Sequence, residues 1–86
     1  MRIAITQRVL QHKGRAYDSL EQSWWGLLRS HQLIPIPNTP NQNLTQTLDA
    51  VDLIILSGGD GNNTRVNVES EIFNYVDEHK TPVLGV

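Results

Sequence analysis

The chain lacks cysteine and has few large side chains of the aromatic or methionine type. Cysteine is absent, and Met, Trp, Tyr and Phe together account for six of the 86 residues. Neither a disulfide framework nor a thiolate metal site can therefore reinforce the small core that a chain of this length buries. The longest apolar run is Leu53-Ile54-Ile55-Leu56, whereas a membrane helix needs about 20 residues. These absences predict a single globular domain without a membrane span.

An excess of charge of either sign is also missing. The formal net charge is −2 at pH 7, and the pI is about 5.8. A general electrostatic attraction to nucleic acid is therefore not expected. Met1 and Arg2 lead directly into Ile3-Ala4-Ile5, without the long apolar segment of a signal peptide. We expect a cytoplasmic protein whose partners are neither nucleic acids nor membranes.

Short apolar runs alternate with segments of helical periodicity. Strands are predicted at residues 3–5, 33–37, 51–56 and 83–86, and helices after Asp18, at 44–50 and at 68–79. This order predicts right-handed crossovers and a mostly parallel sheet with helices on both faces. Ligands of such sheets bind beyond the carboxyl ends of the strands. Thr6, Gln7 and Arg8 follow the first predicted strand on that side, where they could line a pocket or form an ordinary loop.

The helices are predicted from apolar spacing and from capping residues. Asp18 and Glu21 have the spacing of a capping box, and residues 12–15 before them are expected to form a loop. Five side chains after Asp18 recur at helical spacing and are expected to share one face: Leu20, Trp24, Leu27, Leu28 and His31. In the later helix, four side chains are expected to face inward after a cap at Asn67: Val68, Ile72, Phe73 and Val76.

A glycine-rich segment, Ser57 to Asn63, follows the most hydrophobic predicted strand. Its glycines could let backbone N–H groups converge on an anion or a developing oxyanion, or could serve a tight turn with positive φ. Both interpretations stay open at this point. The segment has no Gly-Lys-Ser/Thr, which excludes a P-loop, and it lacks the third glycine of the dinucleotide fingerprint. Arg65 lies beside it and is expected to be a solvated surface residue, although it could meet a carboxylate.

The final predicted strand ends in Gly85-Val86, which also fits the first two positions of a nucleophile elbow. On that interpretation the nucleophile would be the next residue; otherwise Gly85 is simply a small residue in a strand. The histidines at positions 12, 31 and 79 lie in separate elements without the spacing of metal ligands. We expect neither a metal site nor a bound cofactor.

Taken together, these segments resemble the N-terminal part of a class I glutamine amidotransferase-like domain. Within that family the chain looks like the γ-glutamyl hydrolases, including the γ-glutamyl-γ-aminobutyrate hydrolase group. The matching segments are the first predicted helix with its tryptophans and residues 3–8, 33–37, 52–60 and 81–86. The resemblance implies a flavodoxin-like three-layer α/β sandwich with a mostly parallel sheet, of which residues 1–86 form the N-terminal segment.

The resemblance also implies a Cys-His-Glu triad that lies outside these 86 residues. In the family, a strand ending in Gly-Val or Gly-Ile runs into Cys-Arg-Gly, whose cysteine is the nucleophile. The backbone N–H that the family contributes to the oxyanion hole carries over to Gly59, with Gly58 shaping the turn. Asp60 and Arg65 are the candidate substrate-binding residues.

The implied reaction is thiolate attack on a γ-glutamyl amide, loss of an amine, and hydrolysis of the thioester to glutamate. Two other functions stay open: an amidotransferase subunit that passes ammonia to a synthase, and a non-enzymatic flavodoxin-like module that holds a phosphate or a flavin. The expected partners are a small γ-glutamyl substrate and the remainder of the same domain, and a homodimer stays open. The segment by itself is expected to be inactive and poorly folded.

Overall fold

Strands and helices alternate along most of the chain. The structure is a computed structural model, and it describes residues 1–39, 42–58 and 63–86. In chain order the elements are β1 (Arg2–Thr6), β2 (Arg8–His12), β3 (Arg15–Ser19), α1 (Gln22–Leu27), β4 (Gln32–Ile36), α2 (Leu44–Asp49), β5 (Leu53–Leu56), α3 (Asn63–His79) and β6 (Val83–Gly85). This arrangement confirms the predicted α/β class.

Four of the strands form one parallel sheet in the order β4-β1-β5-β6. β1 pairs with β4 on one side and with β5 on the other, so that Ile3 lies between Leu33 and Leu53. The inner strands β1 and β5 are the most apolar because side chains on both of their faces are buried. The predicted parallel sheet is therefore confirmed, and β4, which contains Pro35, is an edge strand, where a missing backbone N–H is tolerated.

Alternate side chains of β1 enter two separate apolar clusters. Ala4 belongs to a cluster that α2 and α3 cover, whereas Ile3 and Ile5 belong to a cluster on the opposite face. The first cluster contains these buried residues: Ala4, Ile36, Leu44, Leu48, Val51, Ile54, Val68, Ile72 and Tyr75. The second consists of Ile3, Ile5 and Ile55, against which Trp24 of α1 packs. Helices lie on both faces, but α1 contributes no buried residue and covers its face thinly.

Residues 8–19 form an antiparallel hairpin where the sequence predicts a loop and a helix cap. β2 and β3 pair so that His12 is opposite Arg15, which leaves Lys13 and Gly14 as a two-residue turn. Their φ values are 50° and 75°, and positive φ at both positions is typical of a type I′ hairpin turn. The side chains of both strands are mostly exposed. The prediction is wrong here because a strand without a buried face has no alternation of apolar and polar residues.

Helix α1 begins later than the sequence predicts. Asp18 lies in β3 and does not cap the helix. Glu21 is the N-cap residue, and within the described residues its side chain makes no capping hydrogen bond. Leu20, Trp24 and Leu28 pack against the second cluster as expected, but Leu27 is 75% exposed. The predicted helix is also shorter than expected, because α1 ends at Leu27 after fewer than two turns.

Helix α3 begins before the cap that the sequence predicts, and Asn67 lies inside it. Val68 and Ile72 are buried as expected, but Phe73 is 54% exposed and Tyr75 is buried in its place. Positions 68, 72 and 75 are separated by four and three residues, which keeps them on one helical face. Phe73 follows Ile72 directly and therefore turns by about 100° away from that face.

Candidate functional site

The carboxyl ends of β1 and β5 are joined by a buried pair of hydroxyl residues. Thr6 ends β1 and Ser57 follows β5, and they are 0% and 7% exposed. The Ser57 backbone N–H donates to Thr6 Oγ1 at 2.9 Å, and Ser57 Oγ donates to the Thr6 carbonyl at 2.6 Å. Because both hydroxyls have internal partners, the pair holds the two strand ends together instead of offering a hydroxyl to a ligand.

Two arginines bind the backbone carbonyls at the end of β5. Arg8 Nε donates to the Gly58 carbonyl at 3.0 Å. Arg65 donates through one terminal nitrogen to the Ser57 carbonyl and through the other to the Gly58 carbonyl at 3.4 Å. Its Nε contacts Glu69 Oε1 at 3.2 Å, one helical turn further along α3. Guanidinium groups from two different elements therefore meet at the Gly58 carbonyl.

Arg65 lies inside the protein, where the sequence predicts a solvated surface residue. Only 3% of it is exposed. Position 65 precedes Val68 by three residues and so lies on the buried stripe of α3. The burial of its charge is tolerated because the guanidinium donors have carbonyl and carboxylate acceptors. The prediction is wrong because the acceptors are backbone groups that only the fold brings near.

A cavity of about 190 Å³ lies at the carboxyl edge of the parallel sheet. It is lined by residues from the hairpin, from α1 and from the ends of β5 and β6: Arg8, Ser19, Leu20, Glu21, Trp24, Ser57, Gly58 and Val86. Its wall combines a cation, a carboxylate and an indole, and its position is the one at which parallel sheets bind ligands. We take this edge cavity as the candidate functional site.

Gly58 allows the ends of β5 and β6 to approach each other at the wall of the edge cavity. The Val86 N–H donates to the Leu56 carbonyl at 3.0 Å, which continues the pairing of β5 with β6. A Cβ at position 58 would lie 3.2 Å from the Val86 carbonyl oxygen. Gly58 has no φ in the left-handed region, so glycine is favoured here by the close approach of another backbone segment.

A polar cluster of Gln7, Asp18 and Asn38 attaches the hairpin beside the edge cavity. The Asp18 carboxylate accepts from the Asn38 backbone N–H at 3.1 Å and from Asn38 Nδ2 at 3.0 Å. The same Nδ2 donates to the Gln7 carbonyl at 3.0 Å. Asn38 is 7% exposed, and its Oδ1 has no donor among the described residues. This Asn38 cluster holds the hairpin in the position from which it contributes to the cavity wall.

The structure brings together two of the four residues that the sequence assigns to the site. Gly58 lines the edge cavity, and Arg65 binds its carbonyl. Gly59 and Asp60 lie outside the described residues, so the oxyanion-hole and substrate-binding roles assigned to them stay predictions. Of the three polar residues after the first predicted strand, Arg8 lines the cavity, while the two before it make structural hydrogen bonds.

Sequence reasoning missed the cavity wall formed by the end of the hairpin and the start of α1. This wall consists of Ser19, Leu20, Glu21 and Trp24. The local signal that could have revealed it is the dipeptide Lys13-Gly14, since glycine favours the positive φ of a two-residue hairpin turn. A hairpin at this point would have placed the residues that follow it beside the carboxyl ends of the parallel strands.

A second cavity, of about 360 Å³, lies between α2 and α3. Tyr75 Oη donates to Asp49 Oδ1 at 2.6 Å, and the His79 ring stacks on the Tyr75 ring with centroids 4.0 Å apart. The hydrogen bond to Asp49 raises the pKa of Tyr75 above its usual value of 10.0, and burial adds to the rise. Asp49 precedes β5 and His79 precedes β6, so this groove lies toward the amino ends of the strands. Parallel sheets bind ligands at the opposite edge.

Comparisons with known proteins add no family assignment. Neither a scan against protein-family models nor a search of curated proteins gives a match. Within residues 1–39, 42–58 and 63–86, no group of three or more His, Cys, Asp or Glu residues is arranged to hold a metal ion. No helix in the same ranges is long and apolar enough to cross a bilayer. The structure thus defines an α/β chain with a four-stranded parallel sheet and a polar cavity at its carboxyl edge.

Proposed function

We propose that this chain is the N-terminal part of a glutamine amidotransferase-like hydrolase that cleaves γ-glutamyl amides. The observation that carries the proposal is the close approach of Gly58 and Val86 at the edge cavity. It puts the glycine-rich end of β5 beside the end of β6, the strand that leads to the nucleophile in the resembled family. A nucleophile and an oxyanion donor must both lie about 3 Å from the reacting group, and neighbouring strand ends favour this.

The proposed fold of the complete domain is the flavodoxin-like three-layer sandwich. Its support is the all-parallel order β4-β1-β5-β6 with helices against both faces of the sheet. In such a fold, further parallel strands would continue the sheet beyond β6. Leu84, which is 53% exposed on that strand, would then become buried.

The proposed reaction is acyl transfer through a cysteine outside these residues. The thiolate attacks the γ-carbonyl carbon, a carbon–sulfur bond forms, and the carbon–nitrogen bond breaks as the amine leaves with a proton from the triad histidine. Water then attacks the thioester, which yields glutamate and restores the thiol. The backbone N–H of Gly59, next to the wall that Gly58 forms, is the proposed donor to the oxyanion.

The edge cavity presents groups of both charges to a γ-glutamyl substrate. Arg8 and Glu21 line it together with Trp24. A free glutamyl head carries an α-carboxylate and an α-ammonium group, and each gains most from a partner of opposite charge. We assign the carboxylate to Arg8 and the ammonium group to Glu21, with the indole of Trp24 excluding water from one side.

The two candidate substrate-binding residues of the sequence have different parts in this proposal. Asp60 stays a direct candidate for substrate binding. Arg65 is nearly fully buried, and its nitrogens contact the Ser57 and Gly58 carbonyls and Glu69. Arg65 is therefore assigned to the backbone that shapes the cavity and not to contact with the substrate.

Glutamate release by the complete protein tests the proposal. With γ-glutamyl-p-nitroanilide as the probe, we expect release of p-nitroaniline and glutamate, and a γ-glutamyl thioester in acid-quenched protein by mass spectrometry. Glu21→Gln is expected to raise KM at least about tenfold, since a charge-assisted hydrogen bond is lost. Glu71→Gln, at an exposed position of α3, is the matched control and changes neither KM nor kcat. Absence of both glutamate release and the thioester contradicts the proposal.

The same preparation separates the two alternative functions. Glutaminase activity that requires an added synthase partner would indicate an ammonia-donating subunit. Quenching of tryptophan fluorescence by FMN, without any hydrolysis, would indicate a binding module, because Trp24 lines the edge cavity. The hydrolase proposal expects activity without a partner and no response to FMN.

A further inference from the structure

Arg65 directs its charge at the backbone instead of at solvent. It is 3% exposed, and its two terminal nitrogens donate to the Ser57 and Gly58 carbonyls. Arg8 donates to the same Gly58 carbonyl at 3.0 Å. A backbone carbonyl at the end of a strand needs only one donor to be satisfied. Two guanidinium groups on one carbonyl therefore do more than satisfy it: they restrict its direction.

A carbonyl that is held in one direction also orients the peptide group to which it belongs. A trans peptide is planar, and its N–H lies on the side opposite to its C=O. The donors of a guanidinium group form a rigid planar fork, so Arg65 restricts rotation of the peptide plane as well as the carbonyl direction. Holding the Gly58 carbonyl therefore restricts the whole peptide group to which this carbonyl belongs.

Glu69 keeps the guanidinium group of Arg65 in place. Its Oε1 lies 3.2 Å from Arg65 Nε, and the two residues are one turn apart on α3. Glu69 is 32% exposed, so the carboxylate lies at the margin of the buried stripe while the arginine lies within it. The charge of Arg65 is thus partly balanced on the helix side by the Glu69 carboxylate.

We propose that Arg65 is a positioning residue that sets the direction of the peptide group after Gly58, with Arg8 as a second contact. This inference rests on the proposed function, in which that peptide group donates to the oxyanion. A donor that is already oriented stabilises developing charge without reorganisation, and loss of one such donor lowers kcat by about 10²–10³. If the N–H donor is misdirected, part of this stabilisation of the transition state is lost. Replacement of Arg65 is therefore expected to lower kcat without changing substrate affinity.

Steady-state kinetics of Arg65→Lys in the complete protein test the inference. Lysine keeps the positive charge but replaces the fork with a single point of contact. We expect kcat to fall about 10- to 100-fold while KM changes less than about twofold. Arg29→Lys, at an exposed position after α1, is the matched control and leaves both constants unchanged. An unchanged kcat in Arg65→Lys overturns the inference and leaves the proposed function intact.

Carbonyl ¹³C chemical shifts provide a readout that does not depend on turnover. In Arg65→Lys, the carbonyl resonances of Ser57 and Gly58 are expected to move upfield as their hydrogen bonds weaken, and Glu69→Gln should move them less. If the wild-type protein releases no glutamate, the proposed function fails, and the role of Arg65 is decided by these shifts alone. Unchanged shifts then overturn it.

A second variant covers the case in which Arg65→Lys does not fold. Arg8 is exposed, so Arg8→Lys is expected to fold. The Gly58 carbonyl resonance should move upfield and kcat should fall a few-fold, while KM rises because Arg8 also contacts the substrate carboxylate. An unmoved Gly58 resonance together with an unchanged kcat contradicts the orientation of this peptide group by arginines.

Discussion

The parallel sheet and the hairpin are held in place by different forces. In the sheet, β1 and β5 bury Ile3, Ile5, Ile54 and Ile55 to 2% exposure or less. In the hairpin, most side chains are exposed, and attachment to the sheet depends on hydrogen bonds such as those of Asn38. Apolar burial scales with area and tolerates small shifts, whereas hydrogen bonds require particular distances and angles. The edge cavity therefore has one wall fixed by the core and one wall fixed by a few polar contacts.

This difference implies two levels of stability at one site. The sheet side of the cavity, from Ser57 and Gly58, should open only when the core unfolds. The hairpin side, from Arg8 to Ser19, should open locally, because it contributes little buried apolar area. Substitutions in the two regions should therefore differ in how much unfolding free energy they remove and in how much of the protein they destabilise.

The largest expected effect is on the sheet. Ile54→Ala removes a fully buried side chain from β5 and leaves a cavity in the first cluster, which should cost about 2–5 kcal/mol of unfolding free energy. Urea denaturation, monitored by far-UV circular dichroism, measures this loss of unfolding free energy. Leu10→Ala, at a position of the hairpin that is 54% exposed, is the control and should change stability by less than about 0.5 kcal/mol. Equal losses in the two variants would remove the distinction between the regions.

A smaller and more local effect is expected at the Asn38 cluster. Asn38→Ala removes the donors to Asp18 and Gln7 and should cost about 1–3 kcal/mol. Amide hydrogen exchange should accelerate in β2 and β3 but not in β1 and β5. Asn74→Ala, on the exposed side of α3, should leave hairpin exchange unchanged. Uniform acceleration across the sheet would show that the hairpin is not a separate unit.

Two glycines sharpen the comparison because they are favoured for different reasons. Gly14 has φ of 75° and open space around it, so Gly14→Ala should cost about 1–2 kcal/mol through left-handed backbone strain. Gly58→Ala should cost about 1 kcal/mol because its Cβ would crowd the Val86 carbonyl. Asparagine tolerates positive φ, so Gly14→Asn should recover most of the stability, whereas Gly58→Asn should not. Thermal unfolding of the four variants measures this, and recovery at both positions or at neither would contradict it.

The smallest expected effect concerns the hydrogen bond from Tyr75 of α3 to Asp49 of α2. The hydrogen bond to Asp49 raises the pKa of Tyr75 in the folded protein. Because the pKa of Tyr75 is higher in the folded protein, its hydrogen bond contributes its full stability below the unfolded pKa of about 10. This contribution disappears as pH rises through the pKa of the folded protein.

Tyr75→Phe removes that contribution and should cost about 1 kcal/mol at neutral pH. Above pH 10, the unfolding free energy of the wild type should fall more steeply than that of the variant, so that the two values converge. Urea denaturation at a series of pH values measures the difference. Tyr17→Phe, on the exposed hairpin, serves as the control and should parallel the wild type. A difference in unfolding free energy between the wild type and Tyr75→Phe that does not change with pH would show that the hydrogen bond to Asp49 does not cause the pH dependence.

The sequence was informative wherever burial has a local pattern. The run at residues 53–56 predicts an inner strand because both of its faces are apolar, and the spacing of Val68 and Ile72 predicts the buried side of α3. The hairpin had no such pattern, since neither face of β2 or β3 is buried. The prediction that Phe73 faces inward was wrong because Phe73 follows Ile72 directly and lies off the buried face, whereas Tyr75 lies on it.

The sequence by itself determined the four parallel strands, the α/β class and the place of Ser57 and Gly58 after an inner strand, at the carboxyl ends of the strands. Only the tertiary structure decided that Arg65 is buried against backbone carbonyls, that Asp18 binds Asn38, and that Gly58 meets Val86. The physical reason is separation along the chain. Apolar periodicity reports the surroundings of a residue within one element, whereas these contacts join groups from different elements, and their distances exist only after the sheet has formed.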